Sequence, residues 1–275
     1  MIVDKTVPKR PPGRAALAKA WTGTACLALA LAAGASTGSL ADEADARTLF
    51  KAMSDYMAAQ TAVSFDYDST LEIVTTDGQK LALASSGAVT LARPDKLRMT
   101  RTGGFADVEA VFDGTTLSLL GKNLNAYAQV EVPGTVDQLV DTLRDKYHRP
   151  LPAADLLLSD VNGALMPDVT DVKDLGSGVI GGIECDHLAF RTEAVDWQIW
   201  IAQGEAPHPC RFVITSSKVA GSPEYTIDIR DWKAGTAVAA ADFAFTPPEG
   251  ATKVDPEKLK DFDELPSQFI PGDAK

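Results

Sequence analysis

Turn-forming clusters recur at short intervals along two stretches of this chain, and they limit its fold more than any other feature. Thr76-Asp77-Gly78, Arg93-Pro94-Asp95, Gly103-Gly104, Asp113-Gly114 and Gly121-Lys122-Asn123 separate strand-like segments at 62–75, 79–91, 96–102, 105–112, 115–120 and 124–132. Gly, Asn and Asp tolerate the backbone angles of hairpin turns, so this spacing reads as an antiparallel meander. The pattern breaks at Pro133-Gly134. Val136, Leu139, Val140 and Leu143 then fall at helical spacing within 135–147, and a second helical piece runs from Pro152 to Ser159. Strand-like segments resume at 169–175, 178–192, 195–202, 209–218 and 223–232, and a short Phe243-Ala244-Phe245 segment follows. Ahead of the first meander, Asp42 to Gln60 reads as a helix with Ala46, Leu49, Phe50, Met53, Tyr56 and Met57 on one stripe. Asp42, Glu43 and Asp45 stand at its expected start, where negative charge suits the helix dipole.

The resulting expectation is a mainly β fold with helices (α+β). It is a strongly curved antiparallel sheet of about eleven strands that forms an unclosed half-barrel. Its concave face is covered by the N-terminal helix and the mid-chain helical insert.

The N-terminus adds an address. Lys5, Lys9, Arg10, Arg14 and Lys19 precede an Ala/Leu-rich run from Thr22 to Ala35 that is too short and too broken to span a bilayer. Residues 1–41 are therefore expected to be a secretory signal peptide cut ahead of Asp42, placing the protein in the periplasm with no stable transmembrane anchor. Residues 42–246 are expected to form a single domain, and 247–275 a polar C-terminal tail. Of 26 basic and 38 acidic residues the leader holds 5 and 1, so 21 and 37 remain, a net charge of −16. Such a surface repels phosphate backbones, and no nucleic-acid partner is expected.

Catalysis finds little support. His148, His187 and His208 are widely spaced, without a second ligand three or four residues away. Glu184 and Asp186 share one strand face, a pattern that any solvated strand also produces. No Gly-x-Ser-x-Gly, Cys-x-x-Cys, His-Glu-x-x-His or phosphate-loop motif is present. No enzyme activity, metal or cofactor is expected, and a hydrolase using the scattered acids is the least favoured function.

Gly87-Ala88-Val89-Thr90-Leu91-Ala92-Arg93-Pro94-Asp95-Lys96-Leu97-Arg98-Met99 resembles the strand, Arg-Pro-x-Lys-x-Arg, strand element of the LolA/LolB-like periplasmic lipoprotein carriers. The chain is more similar to a family of predicted periplasmic proteins sharing that fold. This likeness rests on Val111-Phe112-Asp113-Gly114-Thr115-Thr116-Leu117, on Gly181-Gly182-Ile183-Glu184-Cys185-Asp186-His187, on Val195-Asp196-Trp197-Gln198-Ile199-Trp200-Ile201 and on Phe243-Ala244-Phe245-Thr246-Pro247-Pro248. The resemblance implies a lipoprotein carrier-like fold with helices on the concave face, and no assigned chemistry. It also implies that Arg93 is a candidate lid latch, because the matching Arg of the carriers helps to control lid opening. The other reading of Arg93, Lys96 and Arg98 is a turn and strand edge paired with nearby acids such as Asp95.

Met53, Met57, Phe65, Leu139, Leu143, Trp197 and Ile199 are the candidate cavity lining; the pattern alone does not divide them between cavity and ordinary core. Cys185 and Cys210, the pair left after export, are a candidate disulfide, although a simple meander sets their strands nearly two spacings apart. The function expected is a non-enzymatic periplasmic protein that binds a lipid, acyl chain or lipoprotein as carrier or sensor, with lipid or lipoprotein cargo and an envelope protein as its candidate partners. The alternative is an envelope structural or protein-interaction module with a filled core.

Overall fold

Each expected meander folds as one half of a continuous sheet. The computed structural model describes residues 38–104, 106–147, 153–238 and 242–256, all within one compact unit. The expected signal peptide lies outside the described residues except for 38–41, which open the first helix. The tail beyond 256 also lies outside them.

Helix α1 (Gly38–Ala59) begins four residues earlier than the sequence suggests, so Asp42, Glu43 and Asp45 sit past its first turn. Six strands follow: β1 (Ala62–Val74), β2 (Lys80–Ala92), β3 (Lys96–Gly103), β4 (Asp107–Phe112), β5 (Thr116–Gly121) and β6 (Ala126–Glu131). The insert comprises α2 (Val136–Asp145), a 3-10 turn (Ala154–Leu157) and the short α3 (Val161–Leu165). A second run then gives β7 (Asp171–Ile180), β8 (Ile183–Arg191), β9 (Asp196–Ala202), β10 (Pro209–Thr215) and β11 (Glu224–Ala234), with β12 (Thr252–Lys253) last.

The strand order is β12-β6-β5-β4-β3-β2-β1-β11-β10-β9-β8-β7. The two meanders meet where the long β1 pairs antiparallel with β11. This arrangement corrects the expected architecture. There are 12 strands, and the sheet is mixed, because β12 runs parallel to β6 through Thr252–Ala126 and Lys253–Tyr127. The sheet is open, and it is not the strongly curved half-barrel that strand count suggested. Strand number alone does not force curling, since an open sheet can extend through many strands when its edges never meet. Here β12 and β7 end opposite sides of the order. Phe243-Ala244-Phe245 is not a strand. Instead Phe245 lays its ring 5.4 Å from Tyr127, and the last strand forms beyond it.

Helices and insert pack on one face of the sheet, and the apolar stripes explain why. Ala46, Phe50, Met53 and Met57 of α1 are buried, as are Val136, Leu139, Val140 and Leu143 of α2. A capping box starts α2: Gln138 donates its backbone N–H to the Thr135 hydroxyl, and its side-chain carbonyl accepts from the Thr135 N–H. The α1 residue Ser54 is buried too, and its hydroxyl accepts the Asn162 N–H at 2.9 Å, tying α1 to α3. Among the described residues no helix is long and apolar enough to cross a membrane.

Candidate ligand pocket

The packing between sheet and insert leaves an apolar space. A cavity of about 120 Å³ lies above β1, β2, β3 and β11 and below Ala153, Ala154, Leu156 and Leu157. Its floor follows from strand register, because side chains directly opposite one another in an antiparallel pair share a face. One row across the floor is Phe65, Val89 and Met99. The next is Ile229, Tyr67, Gly87 and Arg101, followed by Ile227, Ser69, Ser85 and Gly103. Tyr225 and Leu71 face each other at the far end. Met57 of α1 and Trp232 of β11 complete the wall, with the Trp232 ring stacked on Phe65 at 5.7 Å and on His208 at 5.0 Å. The Trp232 indole N–H is buried without a hydrogen-bond partner among the described residues.

Gly87 shapes this floor by what it lacks. A Cβ there would stand 1.9 Å from the Thr100 carbonyl and 2.7 Å from the Tyr67 ring. Its absence lets Tyr67 lie across β2 and donate its hydroxyl to the Thr100 carbonyl at 2.9 Å. Burial, with Tyr225 nearby, pushes the Tyr67 phenol up to about 12 against the opposing effect of Arg101. The hydroxyl therefore stays protonated, and a donor, at neutral pH.

The roof packs Ala153, Ala154, Leu156, Leu157 and Leu158 into the apolar cluster, and polar contacts fix its position. Arg93, in the turn after β2, donates to the Leu157 and Leu158 carbonyls, both at 3.1 Å. The cation is half-buried; its burial disfavours the charged form, and Asp137 on α2 favours it. Asp137 also accepts the backbone N–H of Ser159 at 3.1 Å and bonds the Ser159 hydroxyl. The Arg93 side chain thus bridges 64 residues to the last turn of the roof. Its Nε is buried without a partner among the described residues.

The sequence-selected residues separate into two groups. Met57 and Phe65 line the pocket. Met53, Leu139, Leu143, Trp197 and Ile199 do not line it, although all seven belong to one buried apolar cluster. Phe50 of α1 packs 5.3 Å from both Phe190 and Trp197, which stack on each other at 3.9 Å, while Phe212 closes the group edge-on at 5.7 Å. Trp197 also touches a separate open cleft of about 210 Å³ beside α3. Tyr67, Arg101, Ser69, Ser85, Tyr225 and Trp232 are pocket residues that the sequence analysis did not select. Alternation through Phe65, Tyr67, Ser69 and Leu71 carries the β1 part of that signal.

Cys185 and Cys210 are buried free thiols in a small cluster with Ala202, on the two strands that flank β9. The register shift between Pro209 and Arg211 falls at Cys210. Burial pushes both thiols up. His187 stacks on Trp200 at 3.9 Å and bonds Gln198, His208 stacks on Trp232, and His148 lies outside the described residues. The described residues include no group of three or more His, Cys, Asp or Glu side chains placed to hold a metal ion.

Residues 46–256 match the sequence profile of the family described as predicted periplasmic proteins, DUF2092. The chain belongs to this DUF2092 family. No curated protein matches it in sequence. Solved structures to which this family member is similar include an uncharacterized conserved protein from Thermus thermophilus, with 12% identity, TM-score 0.45, and coverage of 77% of this chain and 99% of that one. The Mycobacterium tuberculosis lipoprotein LppX gives 15% identity and TM-score 0.38, covering 72% of this chain and 100% of that one. The Pseudomonas aeruginosa MucA/MucB complex gives 13% and 0.44, covering 74% of this chain and 61% of that one.

Proposed function

We propose that this DUF2092 protein is a non-enzymatic periplasmic binder of a hydrophobic ligand, a lipid, an acyl chain or the lipid part of a lipoprotein, acting as carrier or sensor. The observation that carries this reading is the apolar cavity under a short roof attached through Arg93 and Asp137. At about 120 Å³ the cavity is near the size of one that holds a benzene ring. Loading a longer chain therefore requires the Ala153–Leu157 roof to move. Opening the roof exposes the aliphatic side chains of one four-residue turn and exchanges the Arg93 and Asp137 hydrogen bonds for water, whereas extracting α1 would expose a fully buried aromatic core. Arg93 is the latch in this scheme, and the pocket wall is the site of the ligand.

The test is native mass spectrometry of protein purified from the periplasm without detergent. A retained lipid adduct, or an adduct and a raised Tm on adding fatty acids, is the expected result. No adduct and an unchanged Tm with every lipid tried would remove the reading. A second reading, an envelope interaction module, is favoured by Leu175, Val179 and Ile183, which stand 48%, 65% and 41% exposed on the edge hairpin β7–β8. It expects crosslinking of that hairpin to an envelope protein, with no lipid adduct.

A further inference from the structure

The pocket is not apolar throughout, and its polarity is ordered along the strands. Phe65, Val89 and Met99 form the row nearer the Arg93 end of β2, where Arg93 holds Leu157 and Leu158 of the roof. Two rows further along β1 the facing pair is Ser69 and Ser85, whose hydroxyls are 2.9 Å apart. Tyr225 lines the pocket beside them, near enough for the Ser69 hydroxyl to act on its phenol. Arg101 and Tyr67 flank Gly87 in the intermediate row, and the Arg101 charge acts on both phenols. Beyond them Leu71 is 37% exposed, and Ser85, Arg101 and Tyr225 are half-buried, whereas Phe65 and Val89 at the other end are buried. The polar end is thus the one nearer solvent.

This order has a chemical meaning. A guanidinium, the Tyr225 phenol and two serine hydroxyls bring donors together at one end of an apolar slot, while the Tyr67 proton is committed to the Thr100 carbonyl. Arginine matches the planar geometry of a carboxylate or the oxygens of a phosphate, and such charge-assisted bonds are about twice as strong as neutral ones. A quaternary ammonium or an uncharged head gains nothing comparable from these groups. The volume adds a second restriction, since a slot of about 120 Å³ in its closed form widens more readily for one chain than for two. The chain as a whole carries a net charge of −12, so it does not attract anions in general. Selection of an anionic head then depends on the tail already being seated.

We propose that the pocket takes a single acyl chain with a carboxylate or phosphate head, its tail beneath the Ala153–Leu157 roof and its head beside Arg101, Tyr225 and Ser69. The proposal rests on the reading of this cavity as a ligand site. It goes beyond that reading by fixing the number of chains, the sign of the head and the direction of insertion.

Four ligands sharing a dodecyl tail test it by calorimetric titration of the whole protein: dodecanoate, dodecyl phosphate, dodecyl maltoside and dodecyltrimethylammonium. The two anions are expected to bind roughly tenfold more tightly than the maltoside, with the ammonium weakest. The tighter of the two anions identifies the head. In Arg101→Gln the anion preference is expected to vanish while maltoside affinity stays within about twofold. Tyr225→Phe, which keeps the ring, is expected to reduce the preference by roughly threefold. Equal binding of all four by the unaltered protein would overturn the head assignment and leave the hydrophobic-ligand reading standing. Failure of all four to bind would overturn that reading itself. An anion preference that persists in Arg101→Gln would overturn the direction of insertion.

Discussion

The region beneath α1 and the region beneath the 153–158 segment share one sheet and are built in opposite ways. Under α1, Phe50, Met53 and Ile199 are completely buried, and four aromatic rings interlock. Under the roof, a 3-10 turn of four residues replaces a helix of 22, small aliphatic side chains and polar bonds replace interlocked rings, and a cavity remains. Dense packing is costly to open, and contacts that water can replace are not. The difference teaches that stability and access are assigned to separate parts of the same face.

The comparison can be broken most readily at its solid side. Phe50→Ala is expected to cost about 3–5 kcal/mol in urea unfolding, through lost burial and a cavity amid Phe190 and Trp197. Ligand affinity of the remaining folded protein should stay unchanged. A cost under ~1 kcal/mol would mean that the α1 region is as loosely built as the roof.

On the hollow side, Gly87→Ala is expected to cost roughly 1–3 kcal/mol, because the new methyl collides with the Thr100 carbonyl and the Tyr67 ring. Tyr67 must swing into the pocket, so this substitution should also weaken ligand binding, which Phe50→Ala does not. Arg93→Met follows in size. It leaves the Leu157 and Leu158 carbonyls without their donor, for about 1–2 kcal/mol, and it should speed amide exchange around 153–159 by roughly tenfold. Unchanged exchange there would show that Arg93 does not hold the roof.

The smallest effect is one of pH. The Tyr67 phenol is raised to about 12 by burial and then by Tyr225, from an ordinary value of 10.0. A raised folded-state value makes the stabilisation complete below pH 10 and progressively lost as pH rises toward 12. Alkaline difference absorbance should show Tyr67 and Tyr225 ionising late and together with unfolding, and Tyr67→Phe should reduce the amplitude of that late step.

Much of the strand order was legible because its signals are local. Asp113-Gly114 and Thr76-Asp77-Gly78 are tight turns whose chemistry does not depend on distant residues, and Thr135 with Gln138 marks the start of α2 in the same way. The β1–β11 pairing, the parallel β12 and the absence of strong curvature are long-range outcomes with no local residue to announce them. The site divides similarly. Trp197 and Ile199 alternate inward just as Phe65 does, yet Trp197 meets Phe50 while Phe65 lines the pocket, because different covers lie above them. Arg101 and Tyr225 became pocket residues only when register placed them at the same end of the floor as Ser69.

Hydrogen exchange measured with and without dodecanoate compares the two regions most directly. Bound ligand should slow exchange in 153–159 and along the floor strands β1 and β11, leaving α1 and β8–β9 unaltered. Protection that appears under α1 instead, or in neither region, would contradict the placement of the ligand beneath the roof.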